Sequence, residues 1–161
     1  MGVLIAMDQS TRCSGYAVFE NGEYVCSGVI DKSKSELDTY ERSFEMARDL
    51  WRVMKKYKLQ NLIIEEVSQQ SNPKTVIILS RLQGMLIGYA EAHGVKTHIL
   101  LPSQWRKALG FKQGSKVKRA ELKQQSIDFV KNNFNMDLSE DEAEAVGIAS
   151  AAHKIFDFKG E

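Results

Sequence analysis

Short apolar runs and helical periodicities alternate along this chain in an order that predicts its elements. Val3 to Met7 is an apolar run ending in Asp8, the pattern of a buried strand. Gly15 to Phe19 predicts a second strand. Asn21-Gly22 follows, a dipeptide suited to the positive φ values of a tight hairpin turn. Glu23 to Ile30 predicts the third strand, so an antiparallel meander opens the chain. After a polar stretch from Asp31 to Asp38, Thr39 precedes an amphipathic helix to about Tyr57, with Phe44, Ala47, Leu50, Trp51 and Met54 at helical spacing; Trp51 and the methionines read as core. Asn61 to Glu66 predicts a fourth strand, apolar enough to lie mid-sheet. A polar loop, Val67 to Asn72, leads to Pro73, which opens a long helix to about His93 whose Val76, Leu79, Leu82, Gln83, Leu86 and Ile87 suit either a dimer interface or the core. Thr97 to Leu101 predicts a fifth strand, stopped by Pro102, and a short helix fits Ser103 to Leu109, closed by Gly110. Val117 to Asn133 is helical. Ser139 with Glu142 three residues on forms a capping box for a last helix to about Phe156. The order β-β-β-α-β-α-β-α-α predicts an α/β fold with a mixed five-stranded sheet flanked by helices.

A chain of 161 residues with 43% hydrophobic and 27% charged residues reads as one globular domain, 1–161. No apolar run approaches the roughly 18 residues that span a bilayer. The start lacks the basic region of a signal peptide, and Ala6 stands where a myristoylation motif wants Ser or Thr. A cytoplasmic location is therefore expected. Cys13 and Cys26 read as small buried hydrophobes in a reducing compartment. His93, His98 and His153 lack zinc-ligand spacing and read as surface or helix-end residues.

The net charge of +1 excludes a uniformly basic polyanion binder but hides an uneven distribution. Arg106, Lys107, Lys112, Lys116, Lys118, Arg119, Lys123 and Lys131 crowd one stretch. Asp137, Glu140, Asp141, Glu142 and Glu144 crowd the next. That juxtaposition suits a metal site beside a phosphate track, and equally suits two solvated helix faces.

Asp8 ends the first predicted strand, and Glu65 and Glu66 end the fourth. Asp141 and Glu144, three apart, share one face of the last helix. Because strand side chains alternate, only one of Glu65 and Glu66 can face a common centre. Carboxylates buried together need cations, and hard oxygen ligands suit Mg²⁺ or Mn²⁺.

At these residues the chain resembles the RuvC family of Holliday junction resolvases. Asp8-Gln9-Ser10-Thr11-Arg12-Cys13-Ser14-Gly15-Tyr16-Ala17-Val18 is similar to the family's first motif, Asp-Pro-Gly-Ser-x-x-x-Gly-Tyr-Gly-Val. Ile64-Glu65-Glu66-Val67 resembles the second, Ile-Glu-x-Val, which selects Glu65. Asp141 to Ala149 resembles the third, Asp-x-x-Asp-Ala-Leu-x-Ile-Ala. The resemblance implies a ribonuclease-H-like fold and a homodimer that cuts branched DNA. It implies two Mg²⁺ ions, or Mn²⁺, on Asp8, Glu65, Asp141 and Glu144. Pro102-Ser103-Gln104-Trp105-Arg106 and Lys118 match segments where the family carries basic residues near the scissile phosphate. Arg106, Lys107, Lys112, Lys116, Lys118 and Arg119 are thus the expected DNA contacts.

Three departures stand out. Gln9-Ser10 replaces Pro-Gly, and Glu144 replaces the bacterial Asp. Ser68 stands where bacterial members carry an aromatic. The chain is more similar to phage-encoded members, which implies host cytoplasm and tolerance of three-way or forked branches beside four-way junctions. Competing readings are a YqgF-like nuclease, a non-catalytic DNA-binding module, and an actin-like or sugar-kinase-type ATPase domain, which shares an Asp-x-Ser-Thr hairpin but needs a second domain.

Overall fold

A computed structural model gives the fold, described for residues 2–68, 72–156 and 158. Three strands open the chain: β1 (Val3–Asp8), β2 (Cys13–Glu20) and β3 (Glu23–Asp31). Asn21 and Gly22 make the β2–β3 turn with φ of 52° and 89°, as that dipeptide predicts. Then come α1 (Thr39–Lys55), β4 (Leu59–Glu65), α2 (Pro73–Ala92) and β5 (Lys96–Leu100). Three helices close the chain: α3 (Pro102–Ala108), α4 (Arg119–Phe134) and α5 (Glu140–Ile155). The short helix expected from Ser103 to Leu109 is α3, shifted one residue toward Pro102.

The sheet runs β3-β2-β1-β4-β5. β1 pairs antiparallel with β2 and parallel with β4, and β4 pairs parallel with β5. β1 and β4 are central, so both their faces need cover, and alternation splits them. Leu4, Ala6 and Ile63 join the core under α5; Ile5, Met7, Leu62 and Ile64 join the core under α1 and α2.

α5 is the most deeply buried helix. Ala143, Ala145, Ala149, Ala151, Ala152 and Gly147 are small enough for it to lie directly on the sheet with α3 and α4 outside it. Its N-terminal turn is docked at two points. Gly15 of β2 faces the Asp141 carbonyl with no room for a Cβ, and Ser27 Oγ of β3 donates to Glu142 Oε1 at 2.6 Å. Ser139 is the N-cap, but its side chain makes no capping hydrogen bond. The expected capping box does not form, because Glu142 is drawn across to Ser27.

Several expectations change in three dimensions. Phe44, on the helix's apolar spacing, is nonetheless 39% exposed, in edge contact with Tyr40. Trp51 is only partly buried, stacked on Tyr89 at 5.3 Å. His153 is a helix-end residue, in the last turn of α5, but not a surface one; it packs against Phe19 and Phe158, and burial lowers its pKa. Cys13 and Cys26 are free and lie opposite Asp31 and Val18, well apart along the strands. On α2, Leu82, Gln83 and Leu86 are buried in the chain's own core, which removes them from any partner interface.

Candidate active site

The same alternation that divides the two cores chooses the acids. Leu4 and Ala6 face α5, so Asp8 does too; Ile63 faces α5, so Glu65 follows and Glu66 does not. Glu66 instead accepts from the Val67 amide. Asp8 and Glu65 thus end two adjacent parallel strands on the face where α5 presents Asp141 and Glu144. Oxygens of Asp8, Asp141 and Glu144 lie within 4.8 Å of one another. Glu65 falls outside that triple, yet close enough for its charge to act on Asp8.

Burial, then the charges of Glu144, Glu65 and Asp141, push the Asp8 carboxyl well above the usual range. Burial also raises Glu65, against the opposing pull of the Trp105 indole and the Arg106 guanidinium. The cations nearest the cluster only partly offset it: Arg106 Nη2 lies 3.7 Å from Glu144 Oε1, and Lys123 Nζ pairs with Glu140 at 2.5 Å. Burial, with Asp141 beside it, pushes the Cys13 thiol up to about 12. A clustered set of hard oxygen donors with a charge excess fits a hard divalent cation.

The cluster lies on the wall of a cleft of about 910 Å³. One side carries Arg106, Arg119 and Lys123 from α3 and α4. The other carries Ser10, Thr11 and Arg12 of the β1–β2 loop, Thr39 and Arg42 of α1, and Thr75, Ile78 and Leu79 of α2. Of the six expected DNA contacts, Arg106 and Arg119 line the cleft, while Lys107, Lys112, Lys116 and Lys118 do not. Lys118 is the N-cap of α4, one residue before the helix phase that turns Arg119 and Lys123 inward. The basic stretch is also partly neutralised by the acidic one, since Lys131 pairs with Asp137 at 2.9 Å as Lys123 does with Glu140. Ser68, three residues after Glu65, lines the cleft; Gln69, Gln70 and Ser71 fall outside the described residues.

Sequence reasoning missed the residues that hold Glu65. Trp105 Nε1 donates to Glu65 Oε2 at 2.5 Å, and the side-chain amides of Gln9 and Gln83 both donate to the Glu65 carbonyl at 2.9 Å. Gln9, a departure from the family's Pro, therefore has a defined task. Ser10 replaces Gly in a loop closed by Ser14, whose Oγ donates to the Ser10 carbonyl and accepts from the Ser10 amide.

The family model for crossover junction endodeoxyribonuclease RuvC matches residues 4–152. The chain belongs to the RuvC family. A RuvC from Caldanaerobacter subterraneus subsp. tengcongensis is 29% identical over 154 residues, covering 91% of this chain and 88% of the relative. One from Syntrophomonas wolfei is 23% identical over 128 residues, covering 77% and 74%. Among solved structures, T. thermophilus RuvC in complex with a Holliday junction substrate superposes with a TM-score of 0.75 at 15% identity, covering 96% of this chain and 94% of that one. The yeast mitochondrial Holliday junction resolvase superposes at 0.59 and 18% identity, covering 94% and 77%. The fold is thus the ribonuclease-H-like one of RuvC, and RuvC nucleases use divalent metals, for which the acidic cluster is suited. Membership favours this reading over the YqgF-like, ATPase and binding-module alternatives.

Proposed function

We propose that this chain, acting as one nuclease domain, is a structure-selective DNA endonuclease that cuts Holliday junctions and other branched DNA. The observation that carries the reading is the convergence of Asp8, Asp141 and Glu144 within 4.8 Å in a cleft walled by Arg106, Arg119 and Lys123, in a chain with a RuvC family match. Asp8, Glu65, Asp141 and Glu144 are assigned to two Mg²⁺ ions, with Mn²⁺ an alternative. Two such ions supply an activated water and stabilise the leaving oxygen of a phosphodiester. The protein's own contribution is placement. Arg106, Arg119 and Lys123 draw the phosphate backbone past the acids, and Ile78, Leu79, Leu101 and Pro102 reduce the water around it. Ser68 offers no ring to wedge into a base stack, so phosphate contacts dominate and they position without specifying sequence. Relaxed selectivity, accepting three-way and forked branches, follows. No described helix is long and apolar enough to cross a membrane. A DNA substrate agrees with work in the cytoplasm, that of a host cell if the chain is phage-encoded.

The deciding experiment is Mg²⁺-dependent nicking of a synthetic four-way junction beside three-way, forked and linear duplexes. No cleavage of any branch, or cleavage confined to one tetranucleotide on four-way junctions, would overturn the reading or its relaxed form respectively. For the phosphate track, an Arg106→Ala Arg119→Ala double variant is expected to flatten the log–log salt dependence of junction binding by about 1.8, at about 0.9 per phosphate contact. An unchanged slope removes both residues from the track. Lys107, Lys112, Lys116 and Lys118 are left to DNA that extends beyond the cleft.

Two nicks on symmetry-related strands call for two active sites, which a C₂ homodimer supplies. The outward face of α2, with Ile77, Ser80, Arg81, Gly84 and Gly88 exposed, is assigned to the interface. A Cβ at Gly84 or Gly88 meets nothing within 4 Å, so larger residues fit the protomer there and should raise helix propensity by up to about 1 kcal/mol each. A Gly84→Arg Gly88→Arg variant is therefore expected to sediment as a folded monomer while the unmodified chain sediments as a dimer. A variant that stays dimeric places the interface elsewhere.

A further inference from the structure

Trp105 is fully buried, at 0% exposure, and its ring is fixed from several directions. Phe111 meets it edge-on at 5.7 Å, and Gly147 lies so close that a Cβ added there would come within 3.2 Å of a ring carbon. The Arg106 guanidinium lies 5.0 Å from the ring centroid. A buried indole needs an acceptor for its N–H, and a main-chain carbonyl would have served. The acceptor here is Glu65 Oε2, at 2.5 Å. The Glu65 main chain is held as firmly, its carbonyl accepting from both Gln9 and Gln83. Neither the backbone nor the carboxylate of Glu65 is free to swing. Oε1 has no donor among the described residues, so both its lone pairs stay open to a cation, while Oε2 shares its electrons with the indole and is the weaker donor.

The size of the cation then matters. Ca²⁺ gathers six to eight oxygens, often taking both oxygens of a carboxylate, whereas Mg²⁺ keeps six ligands in a strict octahedron and takes one. We propose that Trp105 is a positioning residue that disfavours two-oxygen binding by Glu65 and so biases the site toward Mg²⁺ or Mn²⁺ and against Ca²⁺. The proposal rests on the metal assignment above and adds to it a residue acting through Glu65.

Trp105→Phe keeps an aromatic ring and removes the N–H. Calorimetric titration of the full-length protein, without DNA, measures affinities for Mg²⁺, Mn²⁺ and Ca²⁺. Loss of such an outer partner changes metal affinity by about 10–100-fold. The variant is expected to bind Ca²⁺ more tightly relative to Mg²⁺ by about tenfold, a ratio that simple loosening of the core would not move. In a Glu65→Gln background the same substitution is expected to leave the ratio unchanged, because residues that act as one unit are not additive. An unaltered ratio in Trp105→Phe, or equal changes in both backgrounds, overturns the proposal. Failure of the unmodified protein to bind any of the three ions would instead overturn the metal assignment itself. Should Trp105→Phe not fold, the sequence offers a second route, since it contains only two tryptophans. A Trp51→Phe variant leaves Trp105 as the sole indole. Its emission is expected to change saturably with Mg²⁺ and to stay constant when Glu65 is also replaced by Gln. Emission indifferent to bound Mg²⁺, or a change that survives the loss of Glu65, overturns the link.

Discussion

Replacing Glu65 by Gln is expected to slow cleavage of a four-way junction by at least about a thousandfold, a barrier increase of about 4 kcal/mol at 1.36 kcal/mol per tenfold. The amide keeps the shape of the side chain and can still meet the Trp105 indole through its oxygen, so the fold survives. What disappears is a negative charge in a cluster whose chemistry depends on holding cations. Junction binding should remain, since it is assigned to Arg106, Arg119 and Lys123 on α3 and α4. Asn or Gln at Asp8, Asp141 and Glu144 should act in the same direction for the same reason. Glu66 is the internal control. It lies on the opposite parity and hydrogen-bonds to the neighbouring Val67 amide, so Glu66→Gln should change the rate by no more than about twofold, the scale of a peripheral substitution. Single-turnover cleavage with enzyme in excess separates chemistry from product release. A vigorous Glu65→Gln enzyme beside a dead Glu66→Gln enzyme would show that the wrong neighbour was assigned.

Gly15→Ala should be nearly as damaging although it adds one methyl group and removes no charge. That methyl would overlap the carbonyl oxygen and carbon of Asp141. Neither partner can yield cheaply, because Gly15 is paired with Asp8 on one side and Val29 on the other, and α5 is wedged between the sheet and the helices outside it. The helix must lift, and Asp141 and Glu144 lift with it. Overpacking of this kind costs about 1–3 kcal/mol and sometimes more. In a chain of this length that corresponds to a fall in Tm of roughly 10 °C for about 3 kcal/mol. Cleavage should be lost even below the new Tm. Gly28→Ala provides the comparison, since a methyl there meets the far end of the Tyr16 side chain, which can rotate aside. Thermal melts and cleavage assays on the two variants should therefore diverge sharply; equal, mild effects would mean that α5 is not held where the packing indicates.

The parts of this fold that were legible in the sequence are those fixed locally. Val3 to Asp8, the Asn21-Gly22 turn and the Pro73 helix start each carry their signal within a few residues, and the structure has them in those places. Alternation along the strand made legible only that one of Glu65 and Glu66 can face a common centre; the resemblance picked Glu65, whose side chain meets Trp105 in the structure. What escaped is set by distance. Nothing near Trp105 marks it as the partner of Glu65, forty positions away along the chain. Ser27 gives no sign that it will capture Glu142, and so the capping box that Ser139 and Glu142 suggest is a local preference that a tertiary contact overrides. Lys118 and Arg119 differ by one position, about 100° around a helix, and only the true start of α4 decides which faces the acids. Apolar residues on α2 such as Leu82 and Leu86 look alike whether they face a partner or the chain's own sheet.

The burial of α5 also has a consequence in time. Among the described residues, the helix that brings Asp141 and Glu144 to Asp8 is the last in order, while β1 is the first strand. At synthesis rates of about 5–20 residues per second, on the order of ten seconds pass between the emergence of Asp8 and that of its partners. During that interval no nascent chain can assemble the acid cluster, so a tethered polypeptide cannot nick nucleic acid. The same delay leaves Leu4, Ala6, Ala17, Phe19 and Ile63, the face that α5 covers, open to water. That exposed sheet face is the stretch a chaperone would be drawn to, and the arrival of α5 closes it and completes the cluster in a single event.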